Sequence, residues 1–175
     1  MRILHTSDWH LGRSLEQISR LEEQREFIDS LVRIADKEDV DLVLVAGDIY
    51  DTYNPSAAAE ELFYEAMDRL GGKSGRAVIV IAGNHDNPDR LCAASPLAYK
   101  NGIILLGYPG SDAGGYKTSA EGINIADSGP GWLELSLPRC SHNAVIITMP
   151  FPSESRLEEL LSEKADEAEL QNAYS

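Results

Sequence analysis

Long apolar runs recur along the first hundred residues, and helical patterns separate them. Residues 41–46 contain Leu-Val-Leu-Val, and residues 77–82 contain Val-Ile-Val-Ile. Continuous runs of this kind are typical of strands that are buried on both faces of a parallel sheet. Together with the shorter runs at residues 2–6 and 103–106, they predict four strands.

Three amphipathic segments lie between these strands. Residues 19–37 place six apolar side chains on one helical face: Leu21, Phe27, Ile28, Leu31, Val32 and Ile34. A second helix is predicted to start with Asn54 as its cap and Pro55 at its first position, and to end at Gly71. A short third helix is predicted over residues 90–100. The order βαβαβαβ indicates an α/β fold with a mostly parallel sheet covered by helices.

The pattern changes after Gly107. Residues 109–131 are rich in Gly, Ser and Asp, and they predict a loop with weak strand content. Residues 132–137 and 144–149 predict two strands of a second sheet region, joined by a hairpin around residues 138–143.

The length of the chain and its acidic C-terminal end predict one domain with a short extension. A chain of 175 residues can bury roughly 70% of its unfolded surface, which is enough for a substantial core. Residues 154–173 are rich in glutamate and predict a closing helix with a solvated face. We therefore expect one domain over residues 1–152, followed by an acidic helix or linker over residues 153–175.

The net charge of −14 at pH 7 argues against a free-standing nucleic-acid binder, because phosphate contacts dominate the affinity of such proteins. It does not exclude an enzyme that meets phosphate through bound metal, since divalent ions cancel local carboxylate charge. No apolar run approaches the roughly 20 residues that span a bilayer, and the N-terminus shows no charged-then-apolar leader. Two cysteines, Cys92 and Cys140, predict reduced thiols rather than a disulfide framework. We therefore expect a cytoplasmic protein without a membrane partner.

Potential metal ligands follow three of the predicted strands. In chain order they are Asp8 and His10 after the first strand, Asp48 after the second, and Asn84 and His85 after the third. The carboxyl ends of parallel strands meet at one edge of a sheet, where ligands gather, and neighbouring strands lie about 4.8 Å apart. These side chains can therefore converge on two metals about 3.5–4 Å apart. Carboxylate, imidazole and amide donors suit hard or borderline divalent ions such as Mn, Mg, Fe or Zn.

The three motifs also resemble those of a known family. Asp8-x-His10, Gly47-Asp48-x-x-Asp51 and Gly83-Asn84-His85-Asp86 resemble the first three motifs of the calcineurin-like metallophosphoesterases. Within that superfamily the chain most resembles the SbcD-type nuclease subunits of bacterial double-strand-break repair complexes. The residues that carry this closer resemblance are 1–13, 20–25, 45–51 and 81–86. The implied fold is the N-terminal portion of an αββα sandwich, and we expect the second half of that sandwich to be incomplete in this chain.

The resemblance implies a role for each ligand of a two-metal site. Asp8 and His10 resemble ligands of the first metal, and Asn84 resembles a ligand of the second. Asp48 resembles the carboxylate that bridges both metals. The implied cofactors are two divalent ions, with Mn²⁺ favoured over Mg²⁺.

The resemblance also implies roles close to the reacting phosphate. His85 resembles the histidine that stabilises or protonates the phosphate, and Asp51 stands where many members place an acid that orients this histidine. A turn hydrogen bond is the alternative role for Asp51. Arg13 is a candidate contact to a DNA phosphate, with a surface salt bridge as its alternative. Asp86 is expected to brace its turn, and Arg90 to pair with a neighbouring aspartate.

The second half of the chain departs from the family pattern. The resembled enzymes complete their site with a further histidine and then Gly-His-x-His, whereas this sequence has only His142 after His85. The setting of His142 does not match those motifs. The chain therefore resembles the N-terminal part of a longer nuclease, and it lacks some of the ligands that two metals need.

The implied function is metal-dependent exonuclease and endonuclease cleavage of DNA in repair and recombination. The implied partners are DNA, an SbcC-type coiled-coil ATPase subunit, and a second copy that pairs through helices of this domain. The candidate contacts between copies are Leu62, Phe63, Tyr64 and Met67. Two alternatives remain open: another calcineurin-like phosphoesterase, and a catalytically inactive dimerisation or docking fragment. Trp9 within the first motif favours the nuclease branch over the first alternative.

Overall fold

The computed structural model describes residues 1–71, 75–114 and 122–156. In chain order the elements are β1 (Ile3–Thr6), β2 (Ser14–Leu15), β3 (Ile18–Ser19), α1 (Leu21–Lys37), β4 (Leu42–Ala46), α2 (Ala57–Leu70), β5 (Ala77–Ile81), α3 (Pro88–Cys92), α4 (Ser95–Ala98), β6 (Ile103–Leu106), β7 (Asn124–Gly129), β8 (Trp132–Ser136) and β9 (Ala144–Ile147). A 3-10 turn over Tyr99–Asn101 joins α4 to β6. Among the described helices, none has the length and apolar character needed to cross a membrane.

Four strands form a parallel sheet in the order β1-β4-β5-β6. Ile3 lies opposite Leu42, Leu42 opposite Ala77, and Val78 opposite Ile103. The central strands are covered on both faces, as the continuous apolar runs indicate. The predicted α/β fold with a parallel sheet is confirmed, and the predicted strand ends agree with the observed ones to within one residue.

Helices α1 and α2 cover one face of the parallel sheet. Ile28 of α1 packs in one core with Leu62, Phe63 and Met67 of α2 and with side chains of the sheet. Burial of such large apolar side chains is the main favourable term in folding. The sequence proposes Leu62, Phe63 and Met67 as contacts between copies, but in the structure they are core residues. Of the four residues proposed as contacts between copies, Tyr64 is exposed, with 44% of its surface accessible.

Two predicted helix boundaries are wrong, and local hydrogen bonding explains both. Helix α2 does not begin at Asn54 and Pro55, because Ser56 is its cap: the Ser56 Oγ accepts a hydrogen bond from the amide of Ala59 at 3.3 Å. The single helix predicted over residues 90–100 is divided into α3, α4 and the 3-10 turn. Pro96 lies in the first turn of α4, where it lacks the amide hydrogen that a continuous helix would need.

Strands β7, β8 and β9 form an antiparallel sheet on the other face of the parallel sheet. Leu133 and Leu135 of β8 share a second core with Leu42, Ile79 and Ile104 of the parallel sheet. Both predicted strands of this region and the hairpin between them are confirmed. Strand β7 lies in the segment predicted as a loop with weak strand content, because its polar residues obscure the alternation of a strand.

Helices, parallel sheet and antiparallel sheet stack as three layers. These are three of the four layers of an αββα sandwich, in the expected order, within the part of the chain that the structure describes. Residues 154–156 are helical, whereas the rest of the predicted closing helix lies outside the described residues. The boundary between residues 1–152 and 153–175 stays a prediction.

Leu135→Ala tests the packing of the second sheet. Leu135 is fully buried, so its truncation should leave a cavity and lower the free energy of unfolding by about 2–5 kcal/mol. Leu15→Ala is the matched control, because Leu15 is 66% exposed and its loss should change that free energy by less than about 0.5 kcal/mol. Urea unfolding followed by circular dichroism measures both. Equally small changes would contradict the packing of β8 against the parallel sheet.

Candidate metal centre

Backbone hydrogen bonds join the loops that follow β1 and β4. The amide of Asp8 donates to the carbonyl of Gly47 at 3.1 Å, and the amide of His10 donates to the carbonyl of Asp48 at 3.0 Å. This pairing prolongs the β1–β4 ladder beyond the strand ends. Three predicted ligands are thereby brought to the carboxyl edge of the sheet, where α/β folds bind their ligands.

The same three ligands have a left-handed backbone conformation. The φ angle is +57° at Asp8, +45° at His10 and +49° at Asp48. Positive φ is uncommon outside glycine, although Asp, Asn and His adopt it more readily than other residues. Backbone strain of this kind costs on the order of 1–3 kcal/mol per residue and persists where the surrounding structure imposes it. Its recurrence at three converging ligand positions points to a functional site.

Asp8, His10 and Asp48 each present a ligand atom within 4.8 Å of the others. Nε2 of His10 lies 3.9 Å from Oδ1 of Asp8. The other ring nitrogen, Nδ1, is buried without a hydrogen-bond partner among the described residues and lies 3.4 Å from Oδ1 of Asp51. Metal-bound histidines commonly keep their second nitrogen against a carboxylate. Because the donor set also suits Mn, Mg, Fe or Zn, these residues fit a divalent ion.

Asp86 fastens the loop after β5 to the loop after β4. Its carboxylate is fully buried and accepts hydrogen bonds from three main-chain amides: Gly83 at 2.7 Å, Tyr50 at 2.9 Å and Ile49 at 3.2 Å. Several such bonds are what a buried carboxylate needs to offset its desolvation. Asp86 therefore stabilises its own turn, as expected, and it also binds the amides that follow β4.

Two glycines allow the backbones of these loops to touch. A Cβ at Gly47 would lie 2.9 Å from the Cα of Gly83, and a Cβ at Gly83 would overlap the amide and carboxylate of Asp48. The amide of His85 donates to Oδ1 of Asp48 at 3.1 Å. Asn84 is exposed and lies between these two contacts, so the backbone carries the fourth predicted ligand to the side of Asp48.

The imidazole of His85 is held by the main chain. Its Nδ1 donates to the carbonyl of Asp51 at 2.8 Å, and since a carbonyl only accepts, the proton lies on Nδ1 and Nε2 is free of that contact. This hydrogen bond, helped by the charges of Asp48, Asp51 and Asp86, raises the pKa of His85 above its ordinary value in spite of some desolvation. The ring lies edge-on to that of His10, with centroids 5.0 Å apart.

Asp51 contacts both histidines through different atoms. Its carbonyl accepts the hydrogen bond of His85, whereas its carboxylate lies beside Nδ1 of His10. The sequence interpretation assigned the carboxylate to the orientation of His85. In the structure the backbone of Asp51 makes that contact, and its side chain stands next to a predicted metal ligand instead.

Gln24 supports the turn at His10, a role that the sequence does not signal. Its side-chain amide donates to the carbonyl of His10 at 2.6 Å, and its Oε1 accepts from the amide of Gly12 at 3.0 Å. Gln24 lies at the start of α1, where a polar residue is expected on the surface of any helix. Only the folded arrangement shows that it holds the first motif.

A cleft of about 300 Å³ opens beside Asp8 and His10. Arg13 and Arg20 both line it. Arg20 is paired with Glu23, with Nη2 and Oε2 2.6 Å apart, whereas Arg13 has no ion pair within the described ranges. A contact between Arg13 and phosphate stays a prediction.

Arg90 and His142 both lie outside the group of predicted metal ligands. Arg90 was expected to pair with a neighbouring aspartate, but its guanidinium forms a two-pronged contact with Glu60 of α2, at 2.7 and 3.2 Å. The hydrogen bond from Arg90 lowers the pKa of Glu60. His142 is exposed in the β8–β9 connection beside Ser141. It does not belong to the ligand group found among the described residues.

Comparison with known proteins identifies the relatives of this chain. Residues 1–171 match the calcineurin-like phosphoesterase family. The chain is 45% identical over 174 residues to the SbcD subunit of nuclease SbcCD from Bacillus subtilis, in an alignment that covers 99% of this chain and 40% of that relative. It is 40% identical over 128 residues to the corresponding subunit from Rhodobacter capsulatus, covering 73% of this chain and 32% of the relative. The chain therefore spans less than half the length of these curated relatives.

Gly83→Ala should weaken metal binding, because the added methyl group would overlap Asp48 and move its carboxylate. We expect the Mn²⁺ affinity, measured by isothermal titration calorimetry, to fall by about 10-fold or more. Gly75→Ala is the control, since a Cβ there meets no atom within 4 Å. An alanine in the left-handed conformation of residue 75 should lower the free energy of unfolding by about 1–2 kcal/mol. The Mn²⁺ affinity should stay unchanged. Wild-type affinity in Gly83→Ala would remove Asp48 from the ligand group.

Proposed function

Because the chain belongs to the calcineurin-like phosphoesterase family, we propose that it forms the nuclease domain of a metal-dependent DNA phosphodiesterase. The observation that carries this proposal is the ligand group of Asp8, His10 and Asp48, whose donor atoms lie within 4.8 Å of one another. Relatives named as SbcD subunits of nuclease SbcCD support nuclease activity. The resemblance of the motifs supports DNA as the substrate and repair and recombination as the setting.

The proposed cofactors are two divalent ions, with Mn²⁺ preferred to Mg²⁺. Asp8 and His10 would hold one ion, Asn84 would bind the other, and Asp48 would bridge both. Bound ions of this kind neutralise phosphate charge and lower the pKa of an attacking water. Four side chains are few for two ions, so further ligands are proposed to come from outside these 175 residues.

His85 is proposed to protonate the leaving oxygen. The hydrogen bond from its Nδ1 to the carbonyl of Asp51 fixes the ring and its tautomer, and Nε2 is the atom left to exchange a proton with substrate. A proton donor at this position suits the role of a general acid. The ring contact with His10 supports its place beside the ligands.

DNA binding is proposed to depend on a second subunit. A net charge of −14 is unfavourable for contact with phosphate. At the cleft, Arg13 is a cation that forms no ion pair with any residue in the described part of the chain. The partner implied by the resemblance is an SbcC-type coiled-coil ATPase, which would contribute basic surface and control by ATP. The name of the relatives, one subunit of SbcCD, supports such a partner.

Asp48→Asn tests the proposed chemistry. An amide cannot bridge two cations as a carboxylate does, so cleavage of a fluorescent DNA duplex by the intact protein with Mn²⁺ should fall by more than about 100-fold, beyond the loss typical of supporting residues. Asp39→Asn is the matched control, because Asp39 is also left-handed, with φ +46°, but lies between α1 and β4. It should keep wild-type activity. EDTA should abolish wild-type cleavage, and Mn²⁺ should restore it.

Two results would contradict this function. Hydrolysis of p-nitrophenyl phosphate or cyclic nucleotides without cleavage of DNA would place the protein in another branch of the family. A folded protein that binds no Mn²⁺ and cleaves no phosphoester, even with its ATPase partner, would indicate a docking module instead.

The protein is also proposed to form a homodimer through α2 and α4. A groove of about 400 Å³ lies between these helices and β6. Tyr64, 44% exposed, and Leu97, 68% exposed, both line it. An apolar surface of this kind, next to the helices by which the resembled nucleases pair, supports contact with a second copy.

Leu97→Glu should weaken this pairing, because it places a charge in an apolar interface. We expect the dimer dissociation constant, measured by sedimentation velocity, to rise by at least about 10-fold. Leu15→Glu is the control, since Leu15 is similarly exposed, at 66%, and lies in the β2–β3 hairpin. A wild-type protein that stays monomeric, or equal effects of both substitutions, would reject the interface.

A cytoplasmic location completes the proposal. Cys92 and Cys140 are both free thiols. Unpaired cysteines are usual in proteins of reducing compartments, whereas oxidising compartments favour disulfides. The two thiols support this location.

A further inference from the structure

A buried cation lies against the loop that carries Asn84 and His85. Arg156 is only 8% exposed, although its segment was predicted to be a solvated helix or linker. Its guanidinium donates to three carbonyls: Asp86 at 2.6 Å, Gly83 at 3.0 Å and Phe151 at 3.3 Å. It has no carboxylate partner within the described residues. The three carbonyls therefore offset the cost of removing this charge from water.

The contacts of Arg156 span the turn at residues 83–86 from end to end. Nη1 reaches the carbonyl of Gly83, and Nη2 reaches the carbonyl of Asp86. These two residues flank the exposed Asn84-His85 pair. The carboxylate of Asp86 binds the amide of Gly83 in the same turn. The Asp86 carboxylate thus holds an amide of the turn, and the Arg156 guanidinium holds two of its carbonyls.

The segment that carries Arg156 is attached to the end of β5. The amide of Phe151 donates to the carbonyl of Ala82 at 2.9 Å. The guanidinium carbon of Arg156 lies 5.6 Å from the centroid of the Phe151 ring, and the Arg156 amide donates to Oγ of Ser153 at 3.3 Å. The chain that leaves the second sheet therefore packs directly on the third motif.

We propose that Arg156 is a positioning residue for the metal site, because it fixes Asn84 and His85 relative to Asp48. The inference rests on the proposed two-metal site and adds to it a residue remote in sequence. Two carbonyls at opposite ends of a turn require donors in a fixed planar fork, which arginine has. Lysine offers a single ammonium and cannot span both positions.

Arg156→Lys tests this role while keeping the positive charge. In the intact protein, we expect the Mn²⁺ affinity from isothermal titration calorimetry to fall by about 10–100-fold. In the metal-free protein, the amides of Gly83 and His85 should exchange hydrogen faster, because their hydrogen bonds to Asp86 and Asp48 need the turn at residues 83–86 to keep its place.

Arg76→Lys is the matched control. Arg76 is 3% exposed and, like Arg156, donates to two or more carbonyls, here those of Val40 and Leu70. Unlike Arg156, it also pairs with the carboxylate of Asp36, at 2.8 Å. It precedes β5, however, and so lies at the opposite edge of the sheet. This substitution should lower the melting temperature but leave the Mn²⁺ affinity and the exchange of the Gly83 and His85 amides as in wild type.

Wild-type affinity and exchange in Arg156→Lys would overturn the proposal. Equal changes in both variants would also overturn it, since they would reflect general destabilisation. If the wild-type protein binds no Mn²⁺, the proposed function fails, and amide exchange in the metal-free protein still decides the role of Arg156. Faster exchange confined to Arg156→Lys supports that role, and unchanged exchange rejects it.

Discussion

One buried carboxylate fixes the relation between the loops of the site. Asp86 is the shared acceptor for the Gly83 amide of its own turn and for the amides of Ile49 and Tyr50 after β4. An interior amide that loses its acceptor costs about 1–3 kcal/mol, so moving either loop would leave several such groups unsatisfied. The positions of Asp48 and Asn84 relative to each other follow from this constraint.

The remaining contacts hold the predicted ligand positions through the protein's own backbone and side chains. Gly47 and Gly83 bring two backbones together where no side chain would fit, and Gln24 closes the turn at His10. These contacts lie next to the three predicted ligands that have left-handed conformations. The surrounding fold therefore stabilises the strained backbone of the site, as is usual for a preorganised centre.

Much of this arrangement follows from patterns along the chain, and the exceptions have physical reasons. The apolar runs of β4 and β5 predict the sheet, and the order of Asp8, Asp48 and Asn84 after successive strands predicts the edge where ligands converge. The roles of Gln24 and Arg156 were not predictable, because each depends on main-chain groups distant in sequence. The start of α2 was missed because Asn54 and Ser56 are both good caps, and only the fold selects between them.

The hydrogen bonds that assemble the site join distant parts of the chain. Ile49 and Asp86 are 37 positions apart, and Asp86 and Arg156 are 70 apart. Contacts between residues this far apart in sequence require long loops to close, which costs chain entropy. A partly folded chain thus offers an ion only isolated, weak ligands. Because an ion then distinguishes the native state from every incomplete one, its binding free energy adds to the stability of the finished fold.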